Sequence, residues 1–100
     1  MAEALILEFE GEVGRADYEA VNGIIGIDPV SGGGDWPKGL VSHLGGAKAG
    51  GWVVVEVWES KGDQEAFMQG RLGSALQQAG LPAPSRVEWL ELAGYSTPGA

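Results

Sequence analysis

The sequence predicts an α+β fold of β-α-β-β-α-β order, in which a four-stranded antiparallel sheet carries both helices on one face, the ferredoxin-like arrangement. Three observations predict it. Alternating apolar positions mark four short strands, helical spacing marks two segments between them, and residues 51–60 (GWVVVEVWES) form a strand that is apolar on both faces. The 100 residues suffice for one small domain, expected over residues 1–94, with a frayed tail over 95–100.

The first strand covers residues 4–10 (ALILEFE), with Leu5, Leu7 and Phe9 on one face and Ile6, Glu8 and Glu10 on the other. Gly11 to Gly14 turn the chain. A helix starting near Asp17 repeats Tyr18, Val21 and Ile25 at helical spacing and ends near Gly26, so Tyr18 reads as a core residue. Residues 28–38 (DPVSGGGDWPK) have loop composition, and so long a loop suggests a mobile lid. Its three glycines are not a phosphate cradle, because no Gly-Lys-Ser/Thr ending or helix start follows them. Residues 40–44 read as the second strand, and 45–51 (GGAKAGG) as a glycine-rich hairpin connection into the third. The second helix runs from about residue 63 to 79. Its core stripe is Met68, Leu72, Ala75, Leu76 and Ala79, Ser60 and Asp63 have capping spacing, and Gly80 and Pro82 stop it. Residues 86–93 form the fourth strand, alternating Val87, Trp89 and Glu91 with Glu88, Leu90 and Leu92.

Composition narrows the function classes. Six basic against 14 acidic residues give a net charge of −8, which repels phosphate backbones and anionic lipid, so neither nucleic acid nor membrane is an expected partner. No apolar run approaches a bilayer's thickness, and no basic-then-apolar leader opens the chain, so the cytoplasm is the expected location. Absence of cysteine excludes disulfides and thiolate chemistry. One histidine among scattered glutamates is not a transition-metal ligand set, so no metal is expected.

The third strand sets the expectation for assembly. Val53, Val55 and Val57 share one face, and Trp52, Val54, Glu56 and Trp58 the other. Two helices cover one side of such a sheet. The valine face suits them, which leaves the indole face to a ligand cavity or a second subunit. At roughly 25 cal/mol per Å² of apolar area, covering several such side chains favours association by several kcal/mol. A homodimer is therefore expected, with Trp52, Val54, Val87 and Trp89 at its interface.

His43, the sole histidine, is the one side chain that exchanges protons near neutrality without a large perturbation. Strand alternation puts it on a face with Val41, opposite Leu40 and Leu44, and within reach of Glu56 or Trp58 across a hairpin. Glu56 lies among valines and must be hydrated, paired or protonated. It reads either as a general base or substrate anchor in a pocket, where it would also orient or assist His43, or as an ion-pair partner of Arg86, Arg71 or Lys38 at a dimer seam. Trp58 and Trp89 offer flat apolar walls for a ligand or for packing, and Trp36 in the long loop a lid anchor. The candidate set is thus His43 and Glu56 for catalysis, with Trp58, Trp36, Val41 and Trp89 for substrate.

The passage Trp58-Glu-Ser60, then Glu65-Ala-Phe67 and Leu72-Gly-Ser-Ala-Leu76, resembles the dimeric α/β-barrel superfamily, and most of all its antibiotic-biosynthesis-monooxygenase-like branch. The resemblance implies two sheets packed face to face in a dimer, with a pocket between sheet and helices in each half. It also implies the range of activities found there: cofactor-free oxygenation, polyketide cyclisation and haem degradation. Haem-degrading relatives use a histidine of the second helix, where this chain has Gln69, Gly70 and Arg71. The only asparagine, Asn22, falls on the first helix rather than on a strand, where several oxygenase relatives carry one.

Two functions follow as expectations. One is a small-molecule enzyme of monooxygenase or cyclase type without metal or organic cofactor, acting on a hydrophobic, aromatic or polyketide-like metabolite through His43 and Glu56. The other is a non-catalytic dimer that binds a hydrophobic ligand or stabilises a partner.

Overall fold

A computed structural model describes residues 2–96 and Pro98. The order is β1 (Glu3–Glu10), α1 (Arg15–Ile25), β2 (Leu40–Lys48), β3 (Gly51–Trp58), α2 (Lys61–Phe67), a π-helical turn (Met68–Leu72), α3 (Gly73–Gln78) and β4 (Arg86–Glu91). The sheet order is β2-β3-β1-β4 and every neighbouring pair is antiparallel, as the β-α-β-β-α-β pattern predicts. The tail expected over 95–100 falls partly outside the described residues, at Thr97, Gly99 and Ala100. No helix among the described residues is long and apolar enough to cross a membrane.

Register decides which face is covered. Leu5 stands opposite Glu56 and Trp89, and Leu7 opposite Val54 and Val87, so these residues share one face. That face packs against Val21, Phe67, Leu72, Ala75 and Leu76 of the helices. The helices therefore cover the indole face and leave Ile6, Leu44, Val53, Val55, Val57 and Leu90 on the other side of the sheet, the reverse of the expectation. The cause is area. A buried aromatic side chain removes about 150–250 Å² from water, more than a valine, so covering the tryptophans is the more favourable choice. Trp52 and Val54 are accordingly core residues beneath the helices and not a seam between sheets. Val87 and Trp89 lie on the same covered face, at the β4 edge where helix cover thins and Val87 stays 55% exposed.

Three local features differ from the sequence reading. β2 continues to Lys48 and pairs Gly45 and Gly46 with Val54 and Val53, so the hairpin turn is only Ala49-Gly50, with Gly50 at φ 78°. The second helical segment begins at Lys61, where the Ser60 hydroxyl caps the Asp63 N–H at 3.2 Å. It is interrupted by the π turn, which steps the buried positions from Phe67 to Leu72 instead of by three or four. Gly73 donates its N–H to the Met68 carbonyl, and a Cβ there would strike that same oxygen.

The long loop folds on itself. Ile27 and Gly34 form an antiparallel bridge, and the Asp28 carboxylate accepts from the Val30 N–H at 3.0 Å and the Ser31 hydroxyl at 2.8 Å. Arg71, from the π turn, donates to the carbonyls of Ile25 at 2.9 Å and Asp35 at 2.5 Å, which ties the loop to the second helical segment and to the end of α1.

Leu5 is fully buried, whereas Val30 at the loop tip is 88% exposed. Leu5→Ala should cost about 2–5 kcal/mol in a urea unfolding experiment, and Val30→Ala should stay within about 0.5 kcal/mol of the parent.

Candidate functional site

A carboxylate taken out of water needs partners, and Glu56 is only 3% exposed at the centre of β3. Its Oε1 accepts from Trp58 Nε1 at 3.0 Å, two residues along the same face of the strand. Its Oε2 accepts from His43 Nδ1 at 2.8 Å, directly across the β2–β3 ladder. A bulge makes that approach possible. The register shifts between Leu40 and Ser42, so Leu40 pairs with Trp58 while His43 pairs with Glu56, and both point toward the helices. Val41 absorbs the shift and stays 38% exposed, so it shares no cavity with His43, contrary to simple alternation.

Tyr18 of α1 extends the chain of contacts, its hydroxyl lying 2.5 Å from His43 Nε2. With Glu56 accepting at Oε2, Nδ1 is the donor, and in the neutral form of the imidazole Nε2 is then the acceptor. Tyr18 O–H is then the donor. The order Trp58→Glu56←His43←Tyr18 leaves no oxygen or nitrogen of the four side chains idle. Burial lifts the Tyr18 phenol above its ordinary range; the Glu56 charge pushes the same way and the Asn22 side chain opposes. The phenol is therefore neutral at physiological pH.

Tyr18, His43 and Glu56, with Asn22, form the polar end of a cavity between sheet and helices of ≈ 50 Å³, whose other walls include Leu7, Phe9, Val21, Phe67 and Leu72. That volume admits a few waters. An engineered cavity that accepts benzene is about 150 Å³, so a ring-sized ligand enters only if the walls move. Outside lies an open groove of ≈ 790 Å³ between α1 and the Leu44 to Ala47 edge of β2. Tyr18, Asn22, Ile27, His43 and Trp52 line both spaces and form the partition between them. The Trp52 indole N–H is buried without a protein partner among the described residues.

The structure sorts the remaining candidates. Trp58 is fully enclosed and does not line the cavity; its part is to hold Glu56. Trp36 packs its ring 5.5 Å from that of His43 and donates to the Gly32 carbonyl at 3.0 Å, while its neighbour Pro37 supplies the cavity wall. Trp89 packs on the core under Lys61, away from the cavity. None of the three cations weighed as Glu56 partners bonds it: Arg86 pairs with Glu8 and Glu88, Arg71 pairs with Asp35, and Lys38 forms no ion pair with it among the described residues. Tyr18 and Asn22 are the residues that sequence reasoning did not place in the site. Both sit on the apolar stripe of α1, and the α1–β2 contact that gives them a role has no local signal in the chain.

Comparison with solved structures places this architecture. The chain shares its fold with a protein of solved structure. That structure, from Chloroflexus aurantiacus J-10-fl and provisionally assigned as an antibiotic biosynthesis monooxygenase, matches at TM-score 0.65 and 15% identity, over 99% of this chain and 100% of that one. NE2512, a protein of unknown function from Nitrosomonas europaea, matches at TM-score 0.69 and 15% identity over 99% and 96%. Rv0793 from Mycobacterium tuberculosis matches at 0.64 and 20% over 97% and 100%. No protein-family profile matches the chain, and no curated protein does. The likeness is one of fold.

The raised Tyr18 value has a measurable sign. The folded state holds the phenol proton more tightly than the unfolded chain, so its contribution to stability is complete below pH 10 and is lost as pH rises through the raised value. In a Tyr95→Phe variant, Tyr18 is the remaining tyrosine, and ultraviolet titration should give a midpoint above 10. Adding Glu56→Gln removes a charge that raises the value and should bring the midpoint down.

Proposed function

We propose that this protein is a small-molecule enzyme of monooxygenase or cyclase type, which removes a proton from a hydrophobic, aromatic or polyketide-like metabolite. The observation that carries the reading is the buried Tyr18–His43–Glu56–Trp58 chain at the polar end of an otherwise apolar cavity. In this reading His43 is the base. Glu56 holds the imidazole in the Nδ1–H form and stabilises the imidazolium that proton uptake creates, in the way a carboxylate partners a catalytic histidine. Trp58 fixes the carboxylate. The unpaired Trp52 N–H is available to a ligand oxygen. An apolar wall selects a substrate whose acidity resides in an enol, phenol or activated C–H group rather than in a permanent charge. The resulting anion has two natural fates, attack on O₂ or on a carbonyl of the same molecule, which are oxygenation and cyclisation. No step calls on a metal or organic cofactor. The assignment of one structural neighbour supports this class of reaction.

The second reading, a ligand-binding protein without catalysis, draws on one observation: both nitrogens of His43 are already engaged. The test separates the two. Oxygen uptake and product formation would be followed with an anthrone and with 1,4-naphthohydroquinone. His43→Gln, which keeps an N–H donor for Glu56 but has no titratable nitrogen, should lower turnover about 10²- to 10⁴-fold. Tight binding of these compounds with no turnover by the parent protein would favour the second reading instead.

In both readings the protein works as a homodimer. Among the described residues no helix lies over the sheet face bearing Ile6, Leu44, Val53, Val55, Val57 and Leu90, and we propose that a second copy covers it, sheet against sheet. Full burial of each such side chain is worth about 1.5–3 kcal/mol. Sedimentation at micromolar concentration should show a dimer, and Val55→Lys should yield a folded monomer. A parent protein that sediments as a monomer would sink the assembly.

A further inference from the structure

His43 is the base in the proposed reaction, yet its accepting nitrogen is not open to a substrate. Nδ1 is taken by Glu56 at 2.8 Å, and Tyr18 Oη lies 2.5 Å from Nε2. A substrate proton therefore reaches Nε2 either after Tyr18 has left or through the Tyr18 hydroxyl. The geometry favours the second route. Both residues belong to the partition, but the His43 side chain is only 8% exposed and its Nε2 is covered by the Tyr18 hydroxyl, so the phenol stands between that nitrogen and an incoming group. The Tyr18 ring is also held from two sides. Trp52 lies against it with ring centroids 5.2 Å apart, and the backbone of Gly45 lies against it from β2.

Gly45 is the informative contact. A Cβ built there would lie 2.6 Å from Tyr18 Cζ, 2.7 Å from Cε1 and 2.9 Å from Oη, and all three nearest atoms belong to Tyr18. The backbone at Gly45 is not in the positive-φ region, so no turn or strain calls for glycine at this strand position. Its missing side chain makes room for the phenol. The neighbouring Gly46 differs, since a Cβ there would meet nothing within 4 Å.

We propose that Tyr18 is the substrate-facing acid–base residue of this site, relaying a proton to His43, and that Gly45 is the positioning residue that keeps the phenol on Nε2. This rests on the reading of the chain as a proton-transfer enzyme. In the step, the substrate's X–H bond breaks and its proton joins Tyr18 Oη, while the proton already on Oη joins His43 Nε2. The substrate keeps the bonding electron pair as X⁻, Tyr18 ends neutral, and the imidazolium is paired with Glu56. Nothing is oxidised or reduced. The substrate class is accordingly one whose enol, phenol or activated C–H group approaches from the groove between α1 and β2.

Three variants test it: Tyr18→Phe, Gly45→Ala and, as control, Gly46→Ala. With a single histidine in the chain, ¹⁵N resonances of the imidazole report its hydrogen bonds without ambiguity. Tyr18→Phe and Gly45→Ala should each shift Nε2 toward a free acceptor, and Gly46→Ala should leave it unchanged. With the anthrone as substrate, Tyr18→Phe should lower kcat about 10²- to 10⁴-fold with little change in KM, and Gly45→Ala should lower kcat in the same direction. Gly45→Ala should lower Tm in the parent and much less in a Tyr18→Ala background, where the clash is gone, which keeps the contact testable even if the single variant folds poorly. Full kcat in Tyr18→Phe alongside an inactive His43→Gln would overturn the relay and make Tyr18 a door. Unchanged Nε2 resonances in Gly45→Ala would overturn the positioning role. If the parent turns over neither test compound, the enzyme reading fails and takes the relay with it, while the resonances and the Tm cycle still decide the Gly45 contact.

Discussion

The buried carboxylate of Glu56 is the constraint on which the rest depends. An acid enclosed to this degree survives only with its oxygens satisfied, and removing one partner of such a pair costs about 3–5 kcal/mol. Both oxygens are bonded, one by the indole two residues along and one by the imidazole across the ladder. The second bond fixes β2 against β3, because a slip of one residue would turn His43 away and leave Glu56 against valines. The bulge at Val41 is the local irregularity that lets Leu40 and His43 face the helices together. Covering Trp52 and Trp58 carries Glu56 inward with them, so that choice of face depends on the carboxylate finding its partners.

Much of the architecture is legible in the chain, because it follows from periodicity. Alternation at Leu5, Leu7 and Phe9, helical spacing at Val21 and Ile25, and the Gly80-Leu-Pro82 stop each report on neighbours within a few residues. The same local signals fail where tertiary contacts decide. Alternation on β3 gives two apolar faces and does not say which one the helices take. The extension of β2 through Gly45 and Gly46 opposes glycine's ordinary preference and is stabilised by pairing to Val54 and Val53. The π turn cannot be read from an α-periodic stripe, since Leu72 fits a stripe begun at Met68 as well as one rephased from Phe67.

The site was legible in part for the same reason. His43 and Glu56 are unusual residues on an adjacent pair of strands, so a hairpin alone suffices to bring them together. Trp58 was visible as an aromatic beside an acid, but its indole N–H turns out to serve Glu56 rather than a ligand wall. Tyr18 was invisible because its spacing with Val21 and Ile25 is that of any core residue, and its partner lies 25 positions away. A glycine within a strand is the trace such a contact leaves in sequence, and it becomes interpretable only once the ring that occupies its space is known.

The arrangement separates chemistry from assembly by a single strand's thickness. Glu56 points to the cavity, while Val55 and Val57 on either side of it point to the open sheet face. In the proposed dimer a second copy on that face would contribute nothing to the cavity walls, which all come from one chain. The proposed assembly would bear on the site indirectly, through the backbone of β3. Burying Val55 and Val57 removes a route by which β3 could bend or slip, and the 2.8 Å contact between His43 and Glu56 tolerates little of either. Motion that admits a ligand must then come from the other wall, where α1, the Gly45 edge and the loop meet. The partition residue Tyr18 stands there, lining both the cavity and the outer groove.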